Sequence, residues 1–289
     1  MSGSKATSLY PLFSTLSLDV VTGAVIGAVF VSQLCGVYPD IWFYSALAVS
    51  VWIIYTADHL VDAWRLKQAS HTDRHLFHHH HFRVLISLVI LLAVIDFVLA
   101  LTTLHTRIIA SGLIIFAVSA VYFAALSLLK IRHTHWLQKE IIVALIYTSG
   151  VWVGPLALRG TLLSLHEVVL LIMFIKLVLS VLLLYSAIEV EEDYLDDHHT
   201  LATRFGAVIC HRVIHALLFL LFGMSIYLMT SGGVEIVKHA ANILALMAFF
   251  VLIMNLFPAV FKVNYRYHII GELIFWFPLL LVFNGVLPR

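Results

Sequence analysis

Residues Tyr55–His81 read YTADHLVDAWRLKQASHTDRHLFHHHH, a polar stretch in a chain that is otherwise mostly apolar. Two aspartates, Asp58 and Asp62, close an apolar run. Basic residues and histidines follow them, ending in the run His78–His81. The meaning of this stretch depends on the grease around it. The chain has 289 residues, of which 62% are hydrophobic and 11% charged, and its mean hydropathy is +1.02. That is far more apolar surface than one soluble core can hide, so the chain reads as an integral membrane protein.

A bilayer core needs about 20 apolar residues per helix. Scanning for such runs predicts nine transmembrane helices, at 16–37, 41–60, 82–104, 108–129, 141–158, 163–188, 213–229, 240–261 and 269–287, forming a single all-α transmembrane domain over residues 1–289. The first run is too long for a removable signal peptide and lacks the small-residue cleavage pattern. No Pro/Ser-rich linker divides the chain. The formal charge of +1 provides no field to attract nucleic acid. Cys35 and Cys210 both border apolar runs and read as buried thiols, not as a disulfide or zinc site.

Orientation follows from Lys and Arg, which cytoplasmic loops retain. With the amino terminus inside, the inner segments hold Lys5, Arg65, Lys67, Arg74, Arg83, Lys130, Arg132, Lys139, Arg204, Arg212, Lys262 and Arg266. The outer segments hold only Arg107, Arg159, Lys238 and Arg289. This bias places the Tyr55–His81 stretch in the cytoplasm.

Asp58 and Asp62 are four apart, so both carboxylates lie on one helical face and can share a cation. The sixth run ends in YSAIEVEEDYLDDHHTLATRFG, where Glu189 and Asp193 repeat the spacing on the same predicted side, with Glu191, Glu192, Asp196 and Asp197 around them. Carboxylates set against one another need a neutralising cation. Hard oxygen ligands suit Mg²⁺, which is commonly shared between carboxylates and substrate phosphates. Lys67, Arg74, Lys139 and Arg204 lie on the same side, where they can bind diphosphate oxygens. The plainer readings are that the acids solvate helix ends and the bases anchor loops.

The two acidic stretches resemble those of the UbiA prenyltransferase superfamily, whose members have nine transmembrane helices and two aspartate-rich motifs after helices two and six. The first motif, N-D-x-x-D-x-x-x-D, aligns with IYTADHLVD (54–62), with Lys67 beyond it. The second, D-x-x-x-D-x-x-x-D, aligns with YSAIEVEED (185–193), ahead of TLATRFG (200–206); LQKE (137–140) opens helix five. Ile54 and Tyr55 stand where the family has Asn and Asp, Tyr185 replaces the leading Asp of the second motif, and Glu189 replaces an Asp.

The resemblance implies a UbiA-like bundle with a cytoplasm-facing cavity. In it, an isoprenyl diphosphate is bridged by Mg²⁺ between Asp58, Asp62, Glu189 and Asp193, and ionises to alkylate a hydrophobic acceptor, aromatic or lipid-like. Tyr55 and Tyr185 would then face the carbon cation with their rings, the alternative being interfacial belt tyrosines. Loss of both leading acids supports a rival reading, a non-catalytic relative that binds or carries a lipid, quinone or metal ion.

Four adjacent histidines splay around a helix and cannot all reach one ion. The run therefore reads as a polar interfacial loop, with Arg74 and His75 as lid residues over the cavity. Charges within spans are costly and usually functional or paired. Asp96 and Lys176, mid-run in helices three and six, either line the tunnel or pair with each other, and Glu272 reads as interfacial. Trp136, Trp152 and Trp276 read as belt or core residues.

Overall fold

A computed structural model describes residues 13–66, 73–128, 139–196 and 200–283, and these are helical with no strand among them. The helices are α1 (Leu18–Cys35), α2 (Ile41–Leu66), α3 (Asp73–His80), α4 (Phe82–Thr103), α5 (Thr106–Leu128), α6 (Lys139–Arg159), α7 (Leu165–Ile188), α8 (Val190–Leu195), α9 (Leu201–Phe205), α10 (Ala207–Thr230), α11 (Glu235–Leu256), α12 (Pro258–Lys262), α13 (Arg266–Ile274) and α14 (Leu279–Phe283), with a 3₁₀ turn at Val263–Tyr265. Seven of them, α1, α2, α4, α6, α7, α10 and α11, are long and apolar enough to cross a membrane. Helix α5 is apolar over Thr106–Tyr122. The chain is an all-α, multi-pass membrane protein.

Helix α7 forms the centre of the bundle. It packs against α6, α10 and α11, and Leu170, Met173, Phe174, Leu177 and Leu184 along it are fully buried. Its start is held by a capping box, in which Ser164 Oγ accepts from the Glu167 backbone N–H and the Glu167 carboxylate accepts from the Ser164 N–H. Small residues bring neighbouring helices close, the usual device where lipid gives no hydrophobic drive between helices. Gly27 of α1 meets Val151 and Phe174, and Gly154 of α6 lies directly against the Phe43 ring of α2, leaving no room for a Cβ.

The edge is different. Helix α4 packs chiefly on α2, and α5 on α6. Much of the remaining described surface of both is apolar and exposed, through residues such as Ile90, Val94, Ile114 and Phe116. These are lipid-facing surfaces.

Several predicted boundaries shift. The second helix runs past 60 to Leu66, so Asp62 lies inside it. The run at 213–229 begins earlier, at Ala207, where Gly206, at φ 86°, breaks from α9. The run at 240–261 becomes Glu235–Leu256 followed by α12, because Pro258 carries no N–H and sits at the start of a new helix. The run at 269–287 is not one helix. α13 ends at Ile274, the N–H groups of Phe275, Trp276 and Phe277 donate to carbonyls three residues back, and α14 starts after Pro278.

The histidine run is helical and not a loop. It ends α3, and its members splay as their spacing demands: His78 is buried with its ring 5.0 Å from that of His59, whereas His80 and His81 face outward. Asp96 and Lys176 do not pair. Ser50 of α2 donates to Asp96 Oδ2 at 2.7 Å, while Lys176 lies on α7, which packs against other neighbours. Cys35 and Cys210 are free thiols, and Trp152 is a core residue that meets the Phe174 ring edge to face.

Candidate functional site

The two acidic pairs, more than a hundred residues apart in sequence, line one cavity of about 460 Å³. Asp58, Asp62 and Tyr55 reach it from α2, Lys139 and Glu140 from the start of α6, and Tyr185 and Glu189 from the end of α7. Glu192, Asp193 and Asp196 reach it from α8 and its end, and Tyr267 and His268 from α13. Val143, Leu182 and Ile269 add apolar lining.

The first pair is on continuous helix, so its spacing of four aligns the carboxylates. Lys139 sits between them, with Nζ 3.1 Å from Asp58 Oδ2 and 3.8 Å from Asp62 Oδ2. The second pair is at a helix break. Helix α7 ends at Ile188 and α8 begins at Val190, yet the Asp193 N–H still donates to the Glu189 carbonyl at 2.9 Å, which keeps the four-residue register. The Tyr267 hydroxyl donates to Glu189 Oε1 at 2.7 Å, and His268 Nε2 lies 2.8 Å from the same oxygen.

These two partners come from a strained connection. Asn264 and Tyr265 both adopt left-handed backbone, at φ 54° and 55°, which costs energy for a bulky residue such as Tyr and reverses the chain so that α13 enters beside the cavity. Helix α13 then approaches α7 at Gly271, where a Cβ would overlap the Tyr185 ring. That closeness lets the Tyr185 hydroxyl donate to Glu272 Oε1 at 3.0 Å. Tyr185 also has its ring 4.7 Å from that of His268. Glu272 is thereby tied to a tyrosine that lines the cavity.

Outside the cavity, Lys262 Nζ lies 3.3 Å from both Glu191 Oε2 and Glu192 Oε1, tying the α12 end to α8. Partial burial works against the Lys262 charge, but the carboxylates of Glu192 and Glu191 outweigh it and hold the ammonium above the ordinary lysine range. Glu140 is nearly fully buried. Its Oε1 accepts from Ser186 Oγ at 3.0 Å and from the Leu201 N–H at 2.7 Å, which joins α6, α7 and α9, while its Oε2 has no partner among the described residues.

Of the predicted site residues, Tyr55, Asp58, Asp62, Lys139, Tyr185, Glu189 and Asp193 all line this cavity. Arg204 does not; it is exposed, and its guanidinium lies over the Phe205 ring, 4.8 Å from the centroid. Lys67 lies outside the described residues, as do Trp136 and the side chains of Arg74 and His75. Sequence reasoning missed Glu140, Tyr267 and His268. The signal was present in YRYHII (265–270), a polar aromatic cluster directly before the last apolar run and on the same predicted side as both acidic pairs.

The donor set suits a hard cation: among the described residues, seven acidic ones line the cavity (Asp58, Asp62, Glu140, Glu189, Glu192, Asp193 and Asp196) against one lysine. Among the described residues, however, no three His, Cys, Asp or Glu side chains converge closely enough to hold a metal by themselves. A cation bound here needs oxygens from water or from a ligand as well. Compared with known protein families, curated proteins and solved structures, the chain finds no match in any of the three.

Proposed function

We propose that this protein is a membrane prenyltransferase, moving an isoprenyl group from its diphosphate to an aromatic or lipid-like acceptor with Mg²⁺. The observation that carries the reading is the meeting of the Asp58/Asp62 and Glu189/Asp193 pairs in one cavity that also holds Tyr55, Tyr185 and Lys139. The likeness of IYTADHLVD and YSAIEVEED to the UbiA motifs supports the same reading, with nine crossings in which α5 is one and the broken α13–α14 segment the last. The basic-residue bias supports a cytoplasmic amino terminus and a cavity open to the cytoplasm.

In this reading Asp58, Asp62, Glu189 and Asp193 would hold Mg²⁺. The metal, when bound, supplies the positive charge that neutralises the leaving group. Lys139, which lines the same cavity, would bind a phosphate oxygen. The allylic carbon–oxygen bond breaks with its electron pair leaving on diphosphate. The acceptor's electron pair then forms the new bond to carbon, and the acceptor loses a proton to solvent. Tyr55 and Tyr185 place aromatic rings beside the developing carbon cation, where π faces stabilise positive charge. Van der Waals contact with Val143, Leu182 and Ile269 favours an apolar chain over water.

The second reading, a non-catalytic protein that carries a lipid, quinone or metal ion, draws on the internal neutralisation of the site. Lys139 already bridges Asp58 and Asp62, and Glu189 already accepts from Tyr267. The deciding experiment reconstitutes the full chain in liposomes and measures Mg²⁺-dependent diphosphate release from geranyl, farnesyl and geranylgeranyl diphosphates. Release above that of an Asp62→Asn protein supports the enzyme. No release, and no Mg²⁺-dependent thermal stabilisation by any of the three, selects the carrier.

A further inference from the structure

We propose a second binding site, for an anionic phospholipid of the phosphatidylglycerol class, in the groove where α2, α3 and α4 meet. This site is separate from the acidic cavity and does not rest on the prenyl-transfer reading. The groove has a volume of about 560 Å³, and the described residues that line it are Trp64, His79, His80, His81, Phe82, Arg83 and Val84, with no acidic residue among them. Arg83 is exposed and makes no ion pair with a carboxylate among the described residues. A guanidinium left open at the end of a lipid-facing helix matches a phosphodiester in charge and in fork geometry.

The imidazoles supply the complementary half. His80 Nδ1 is 2.7 Å from the Leu76 carbonyl and His81 Nδ1 3.0 Å from the Phe77 carbonyl. A carbonyl can only accept, so the Nδ1 atoms carry the protons, and in the neutral ring Nε2 is left as an acceptor. Two outward acceptors beside an arginine suit a headgroup that presents hydroxyl donors next to its phosphate, as glycerol does and choline does not.

Trp64 is 68% exposed, the position of an indole at the headgroup level. From Arg83 the surface continues into Val84, Leu88, Leu91 and Ile95, exposed apolar residues at helical spacing on one face of α4. Acyl chains anchored at Arg83 have this strip to lie on. The groove thus offers a phosphate ligand, headgroup acceptors, an interfacial indole and an acyl track in continuous order.

The test uses the full chain in detergent, titrated with dioleoylphosphatidylglycerol or dioleoylphosphatidylcholine, and counts retained lipid by native mass spectrometry. The expected result is a preference for phosphatidylglycerol of about five-fold, in line with the strength of one basic residue at an anionic membrane surface. Arg83→Gln should abolish the preference. His80→Leu/His81→Leu should reduce it to about two-fold, while Arg107→Gln, a basic residue elsewhere on the surface, should leave it unchanged. Equal retention of the two lipids by the wild type, or an undiminished preference in Arg83→Gln, overturns the proposal. Displacement of phosphatidylglycerol by millimolar inorganic phosphate overturns the lipid as occupant, since an acyl-anchored headgroup resists a free ion.

Discussion

Asp58/Asp62 and Glu189/Asp193 share a spacing, a cavity and the end of a long helix, yet their electrostatics differ. The first pair lies on unbroken helix and faces a lysine that reaches both carboxylates. The second straddles a helix break, and its glutamate is held by a tyrosine hydroxyl and an imidazole, neither of which brings a permanent charge. Equal spacing therefore does not mean the same kind of partner. A permanent cation from within the chain already serves the first pair. The second pair is crowded by Glu192 and Asp196, which line the same cavity.

The largest expected effect sharpens what the pairs share. Asp58→Asn and Glu189→Gln should each lower Mg²⁺-dependent diphosphate release by about a hundred-fold or more, as loss of one group stabilising developing charge does. Both proteins should keep a cooperative thermal transition. A full rate from either variant removes that residue from the site.

A second experiment targets the difference. Lys139→Met leaves two facing carboxylates without their ammonium and should destabilise the protein by about 1–2 kcal/mol, a figure reduced because the lysine side chain is 38% exposed. Lys139→Met/Asp58→Asn should recover most of the loss, read as the midpoint of thermal unfolding in detergent. Added Mg²⁺ should stabilise Lys139→Met more than wild type, because the ion then fills the lysine's place. Equal responses of the two proteins would show that Lys139 does not govern cation access to the first pair.

The smallest effect belongs to the second pair. Tyr267→Phe removes one hydrogen bond to Glu189 and should cost about 1 kcal/mol. It should leave the midpoint of Lys139→Met shifted by the same amount in the double variant, since the two pairs are compensated separately. Non-additive shifts would mean that the pairs form one coupled network.

The membrane class and most of the long helices were legible in the sequence. Length and apolarity of a run depend on neighbouring residues alone, and α4 and α7, long and almost uniformly apolar, show both plainly. The broken last run was not. Its residues are as apolar as those of α11, and Pro278 together with the positive φ at Asn264 and Tyr265 redirects the chain in a way hydropathy does not weigh. At the site, Asp58, Asp62, Glu189 and Asp193 stood out because acids at an apolar helix end are conspicuous. Tyr267, His268 and Glu140 did not, since a tyrosine, a histidine and a glutamate near a span read equally well as interfacial residues.

Composition and spacing by themselves determined that the chain lives in a membrane, that its acids come in two pairs at four-residue spacing, and that each pair falls near the end of an apolar run. Those properties are set by residues a few positions apart, through the 1.5 Å rise and 3.6-residue turn of the helix. Only the tertiary structure decided that both pairs share one cavity, that Lys139 joins the first and Tyr267 the second, and that Arg204 faces away. It also decided that Asp96 bonds Ser50 and not Lys176. The reason is range: a side chain's partner depends on which helix packs beside it, and that depends on small-residue contacts such as Gly154 on Phe43 and Gly271 on Tyr185, which no single stretch of sequence encodes.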